Sequence, residues 1–330
     1  MSHSKVRHAM KPWIKVLLVS LFTGAISCFA TPARAANVPA RSDLLLMVWD
    51  EQFDELEKLT SELRKEKIVF YSGWPKLGIV YEQLNGPGSH VKDIVWQEFI
   101  AKIEKWQKAY PQSPTPCIAL GETYVSWAWN ARGGGYADTV TEEGSRLMGE
   151  RLKKARAVLE AAEQLPVVDA ELYRVKLTVA LGQGWSKDEM DVAFKKGVAL
   201  APNYLRLYEA KAYFLLPRWY GEPGEWEAFV KQAADARGGE EGDILYMAIA
   251  RSQAWTEKAE FFKKTSISYE RMKRGFESSL RRYPDYVWDM NYYCYFACIA
   301  DDQNQAKQLF EKIKGRWEGA VWSKDDFQRW

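Results

Sequence analysis

Three times along this chain a helical run ends one residue before a proline, and each time the apolar register leading into that proline is the same. The junctions are Ala109-Tyr110-Pro111, Leu200-Ala201-Pro202-Asn203-Tyr204 and Arg282-Tyr283-Pro284-Asp285-Tyr286. Eight residues before the prolines stand Ile103, Phe194 and Phe276, and twelve before them Phe99, Met190 and Met272. Each proline therefore follows an amphipathic run with apolar side chains at matching depth. Proline lacks an amide hydrogen and is tolerated only in the first turn of a helix. The pattern predicts antiparallel helix pairs hinged at the prolines, each proline opening the second helix. Leu165-Pro166 is a fourth, weaker junction, 36 residues before Pro202.

Helical periodicity continues between the junctions. Leu152, Ala155, Leu159 and Ala162 recur at steps of three and four, with Lys153, Lys154, Arg156 and Glu160 on the other face. Thr139 and Glu142 have capping-box spacing, and Gly133-Gly134-Gly135 break the preceding helix. Sustained apolar–polar alternation is missing. The fold expected is all-α.

The spacing and the terminal proline resemble the tetratricopeptide repeat, whose period is about 34 residues. The segment 191–214 (DVAFKKGVALAPNYLRLYEAKAYF) is similar to its A-x3-F…P pattern, and 275–313 has the layout of a second such repeat. The remaining proline intervals, 55 and 82 residues, are irregular. Residues 36–330 are thus expected to form one domain, a short TPR-like solenoid of roughly ten to fourteen helices. Its degenerate repeats would lie around Pro111, Pro166, Pro202 and Pro284. Local signatures also resemble an uncharacterised family of exported bacterial proteins, a domain of unknown function with a tetratricopeptide-like fold. They are Trp127-Ala128-Trp129-Asn130-Ala131-Arg132-Gly133, Leu215-Leu216-Pro217-Arg218-Trp219-Tyr220-Gly221 and the Arg282-Tyr283-Pro284 helix end, within a likeness running from about Leu44 onward. The resemblance implies a fold and carries no established activity. Tyr220 stands where the pattern has glycine, which questions the tightness of that turn.

Residues 1–35 read as a secretory signal. Lys5, Arg7, Lys11 and Lys15 precede an apolar core, Val16 to Ile26, and Ala33-Arg34-Ala35 fits a cleavage site. Eleven apolar residues are too few for a spanning helix, which needs about 20. The expected location is the periplasm or cell envelope, with no transmembrane span once the signal is removed. A lipoprotein attached through Cys28 is the lesser alternative, because Ala25 is a poor start to a lipobox. The whole chain carries 46 basic and 44 acidic residues; the signal holds five of the basic ones, leaving 41 against 44, a net of −3. That balance gives no electrostatic footprint for nucleic acid. Beyond the signal only Cys117, Cys294 and Cys298 remain. Residues four apart on a helix are too far separated for a disulfide, so a bridge would join Cys117 to Cys294 or Cys298. The alternative is three small buried hydrophobes.

The region 121–138 is the foremost site candidate. Trp127, Trp129 and Arg132 precede three glycines, a combination suited to a carboxylate, a peptide terminus or a sugar. The two indoles cannot share one helix face, so one packs while the other lines a surface, and a buried helix closed by a glycine cap is the favoured alternative. Arg218 and Trp219, in the rigid stretch 216–224, form a second candidate; there Arg218 could instead cap the preceding helix. Glu142 and Glu143 at the next helix start oppose a phosphate at the glycines.

Catalytic signatures are sparse. His90 is the single histidine after the signal, and no G-x-S-x-G elbow occurs. Cys294, Cys298, Asp301 and Asp302 make a poor mixed set for a metal, so no metal and no cofactor are expected. Glu122, beside Tyr124 and Trp127, is the one carboxylate in an apolar setting. The function expected is non-catalytic binding of an as yet unknown protein or peptide. The enzymatic alternative is a glycan- or peptidoglycan-processing protein using Glu122.

Overall fold

The computed structural model describes residues 38–66, 75–135, 137–323 and Phe327. The signal segment, its cleavage site and Cys28 lie outside the described residues.

The three proline junctions fold into one and the same turn. The residue before each proline is extended: Tyr110 at φ −127°, ψ 66°, Ala201 at φ −145°, ψ 86°, and Tyr283 at φ −134°, ψ 72°. Clash with the proline ring forces that conformation. Its carbonyl then accepts from the amide three residues on, Ser113 at 3.0 Å, Tyr204 at 3.0 Å and Tyr286 at 3.1 Å. Each proline thus occupies the second position of a β-turn, where its fixed φ fits. The helix that follows starts three residues later, so the prolines do not themselves open it. Ile103, Phe194, Phe276, Phe99, Met190 and Met272 are all buried. Pro166 lies in a longer connection without this geometry.

Among the described residues there are fifteen α-helices and no strand. They are α1 (Arg41–Trp49), α2 (Phe53–Glu66), α3 (Lys76–Gln83), α4 (Asp93–Ala109), α5 (Pro114–Arg132), α6 (Glu142–Ala162), α7 (Ala170–Gln183) and α8 (Lys187–Leu200). After them come α9 (Leu205–Phe214), α10 (Glu225–Arg237), α11 (Gly239–Gln253), α12 (Phe261–Lys264), α13 (Tyr269–Arg282), α14 (Val287–Ile299) and α15 (Gln303–Ile313). The count exceeds the expected range by α12, a single turn that sequence periodicity cannot register.

Two kinds of helix alternate. α6, α13 and α15 are strongly amphipathic and bury one stripe, whereas α5, α7, α11 and α14 bury residues on nearly every face. The difference follows from position. α5, α7, α9 and α11 pack successively on one another, while α6, α8 and α10 pack on the helices before and after them. α3 lies against α5, and α1 and α2 lie against α3. One continuous apolar core runs from Leu44 to Trp322.

α6 begins two residues later than expected. Thr139 belongs to a short 3-10 turn, and Thr141 is the cap, accepting from the Gly144 amide at 3.0 Å. A capping box does form at Ser186 and Glu189, opening α8. The bridge from Cys117 to Cys294 or Cys298 is not made; all three are free, buried thiols.

Candidate functional site

Three parallel ladders of side chains build the site. On α5 they are Glu122, Ser126 and Trp129; on α7 Arg174, Thr178 and Leu181; on α9 Arg206, Ala210 and Tyr213. Steps of four and seven residues put each set on one helix face. The charged members meet at one end and the bulky members line a common cleft at the other. Level matches level, so α5, α7 and α9 run in the same direction.

The charged end is buried. Arg174 pairs with Glu122, and with Glu171 at 2.8 Å. Arg206 reaches Glu171 at 2.9 Å and Glu82 of α3 at 3.4 Å, and donates to the Gly78 carbonyl at 2.7 Å. The Tyr204 hydroxyl donates to Glu171. A Cβ on Gly78 would lie 2.6 Å from that hydroxyl, so only glycine lets α3 approach this closely. Burial pushes the Glu171 carboxyl up to about 7 against the pull of Arg206. Burial also draws Arg174 down to about 9, which leaves it charged at neutral pH. Asp169 continues the network, bound by Arg64 at 2.9 Å and by the Tyr81 hydroxyl at 2.6 Å. Glu122 is only 5% exposed and is held within this network.

The opposite end is an open cleft of about 200 Å³ lined by Trp129, Leu177, Thr178, Leu181, Ala210 and Tyr213. Arg174 also donates to Thr178 Oγ1 at 3.3 Å, tying the cleft to the charges beneath it. Trp219, from the α9–α10 loop, packs edge to face on Trp129 with ring centroids 5.9 Å apart, and lies 5.9 Å from the Tyr213 ring. Tyr213 contacts Trp255 at 6.1 Å, and Trp255 is 51% exposed. Arg218 lies over Trp255 at 4.3 Å and donates to the Tyr213 hydroxyl at 2.6 Å. Arg132 lies over Trp129 at 5.5 Å and donates to the Gly135 carbonyl at 2.8 Å. Neither Arg132 nor Arg218 pairs with a carboxylate among the described residues. The buried indole N–H groups of Trp129 and Trp219 have no acceptor there. Native folds seldom leave such donors unmet.

Trp129, Arg132, Arg218 and Trp219, expected from two separate segments, are therefore neighbours. Trp127 is not one of them; of the two indoles it is the one that packs. It points the other way along α5, is 7% exposed and stacks on Trp96 at 6.4 Å. Its indole donates to Asp93 at 2.9 Å, and the Arg151 guanidinium covers it at 3.7 Å. Trp127 is a structural wedge. Arg218 does not cap α9, since its bond is to a phenol. The departure at Tyr220 leaves the turn tight: its hydroxyl donates to the Leu181 carbonyl at 2.9 Å, and its ring packs on Phe214 at 4.8 Å. The glycine the turn requires is Gly221, whose added Cβ would fall 1.8 Å from the Leu215 oxygen.

Sequence reasoning missed Tyr213, Thr178, Ala210 and Trp255. Tyr213 and Ala210 were visible only as one helix face, and nothing in the sequence shows which face meets α7. Among the described residues no three His, Cys, Asp or Glu side chains gather to hold a metal. No described helix is long and apolar enough to cross a membrane.

No protein-family model matches the chain, no curated protein matches it in sequence, and no solved structure matches it.

Proposed function

We propose that this chain is a non-catalytic binding module of the bacterial periplasm or cell envelope, exported by residues 1–35, that holds a protein or peptide partner in the Trp129–Tyr213 cleft. The cleft carries this reading: aromatic and aliphatic lining from Trp129, Tyr213, Leu177 and Leu181, and two arginines beside it, Arg132 near Trp129 and Arg218 on Tyr213, with no carboxylate partner among the described residues. Aromatic and arginine side chains in a concave site are the groups that dominate recognition energetics.

The architecture we read with it is a TPR-like solenoid with degenerate repeats, related to the exported domain-of-unknown-function family. Its supports are the repeated proline turn and the successive packing of α5, α7, α9 and α11. The glycan-processing alternative finds less support, because Glu122 is buried against Arg174 and turned toward the charge network.

Selection from a random peptide library tests the proposal. The wild-type protein is expected to enrich a shared motif that the Arg132→Ala/Arg218→Ala double variant, folded by circular dichroism, does not. Enrichment of the same motif by both proteins would overturn the site, and no enrichment by either would overturn the function.

A further inference from the structure

Resting on that binding reading, we infer that the cleft recognises the C-terminal residue of a polypeptide when that residue is aromatic, its ring entering the cleft and its carboxylate meeting Arg218 and Arg132. Three observations select this ligand. The first is size. A volume of about 200 Å³ is below the roughly 300 Å³ from which small-molecule sites start. It accommodates one large side chain, and the open side leaves the rest of a chain outside.

The second is the character of the walls. Trp129 and Tyr213 present aromatic surface, Leu177 and Leu181 aliphatic surface, and Ala210 and Thr178 are the smaller lining residues; Trp219 packs on Trp129 and Trp255 on Tyr213. An aromatic side chain suits such a lining and gains ring contacts there.

The third is charge. Arg218 lies over Trp255 and Arg132 over Trp129. Arg132 spends one terminal nitrogen on the Gly133 and Gly135 carbonyls and Arg218 one on the Tyr213 hydroxyl. The remaining N–H groups are the means of binding an anion, and a guanidinium matches a carboxylate. No acidic side chain lines the cleft. A neutral sugar would find few acceptors for its hydroxyls, and a free amino acid would bring an ammonium group beside two arginines. The last residue of a peptide has a carboxylate and no ammonium.

Tryptophan fluorescence titrations of the full chain test the assignment. The ligands are N-acetyl-Gly-Gly-Phe, its C-terminal amide, N-acetyl-Gly-Gly-Ala and 3-phenylpropanoate. The acid is expected to bind at least tenfold more tightly than the amide and than the alanine peptide, and more tightly than 3-phenylpropanoate. Arg218→Ala is expected to bring the acid down to the level of the amide, while Arg146→Ala, a surface control, leaves it unchanged. Equal binding of acid and amide overturns the carboxylate assignment, and equal binding of the alanine peptide overturns the aromatic one. Binding of 3-phenylpropanoate as tight as that of the peptide overturns the choice of a polypeptide. If none of the four binds while the library selection still enriches internal motifs, this inference fails and the binding reading stands. If both experiments are silent, both fail.

Discussion

The indoles of Trp129 and Trp219 meet edge to face with centroids 5.9 Å apart, one from the last turn of α5 and the other from the α9–α10 loop, and neither N–H finds an acceptor among the described residues. Trp127, two residues from Trp129, donates to Asp93 at 2.9 Å instead. The two neighbouring tryptophans should therefore respond differently to removal of the nitrogen. Trp127→Phe removes the indole donor from Asp93 Oδ1 and leaves only the Arg151 bond to Oδ2 at 2.6 Å; on this half-exposed carboxylate the lost bond is worth about 0.5–1.5 kcal/mol. Trp129→Phe removes a donor that has no partner. Urea unfolding is expected to show the Trp127 variant less stable than the Trp129 variant by an amount of that order. Equal losses would contradict the assignment of roles.

Glu171 gives the protein a pH dependence of known sign. Its carboxyl titrates near 4.5 in ordinary surroundings and at about 7 in the fold, raised by burial. Between those values the folded chain holds a proton that the unfolded chain has released, so this group's contribution to stability declines as pH rises from about 4.5 to about 7. At roughly 1.4 kcal/mol per unit the full effect is of order 3 kcal/mol. Glutamine imitates the protonated acid, so Glu171→Gln is expected to gain on wild type by up to that amount between pH 5 and pH 8. Denaturant midpoints at several pH values measure it, and a constant difference would refute the assignment.

The three proline turns should behave alike. In each, proline fills a turn position whose φ it already prefers, and its effect is to restrict the unfolded chain. Pro111→Ala, Pro202→Ala and Pro284→Ala are each expected to lose about 0.4–1 kcal/mol in chemical denaturation. A loss of several kcal/mol at one of them alone would show that the turns are not equivalent.

Gly221 is predicted to tolerate no side chain. A Cβ there would fall 1.8 Å from the Leu215 carbonyl oxygen, so backbone must move and Trp219 with it. Gly221→Ala is expected to lose about 3 kcal/mol or more, at or beyond the upper end of overpacking penalties. Gly149→Ala, where nothing lies within 4 Å on exposed α6, is expected to gain about 0.5–1 kcal/mol. Thermal melts of the two variants compare them directly.

The helical class and the depth of the core were legible in the sequence because they rest on local rules. Proline chemistry placed the turns, and the apolar register identified Ile103, Phe194 and Phe276 as core. Arg132, Arg218, Trp129 and Trp219 could be named from motif chemistry, and Trp127 was drawn in with them by adjacency. Separating Trp127 from Trp129 depends on which neighbour each face of α5 meets, and that is a tertiary fact. The charge network was hidden for the same reason. Glu171, Arg174 and Arg206 look like ordinary solvated positions until α3 covers them, and that cover depends on the close approach at Gly78. Thr141 displaced Thr139 as a cap because both threonines satisfy the local rule and only the path of the chain after α5 chooses between them.

The central claim is that the Trp129–Tyr213 cleft is where a partner binds. Indole nitrogen–proton NMR correlations, assigned by Trp→Phe substitution at each position, follow individual tryptophans as a library-selected peptide is added. The account predicts that the Trp129, Trp219 and Trp255 resonances move together with one saturation curve while Trp127 and Trp96 stay in place. Saturable shifts at other tryptophans, with Trp129 and Trp219 unmoved, would contradict it.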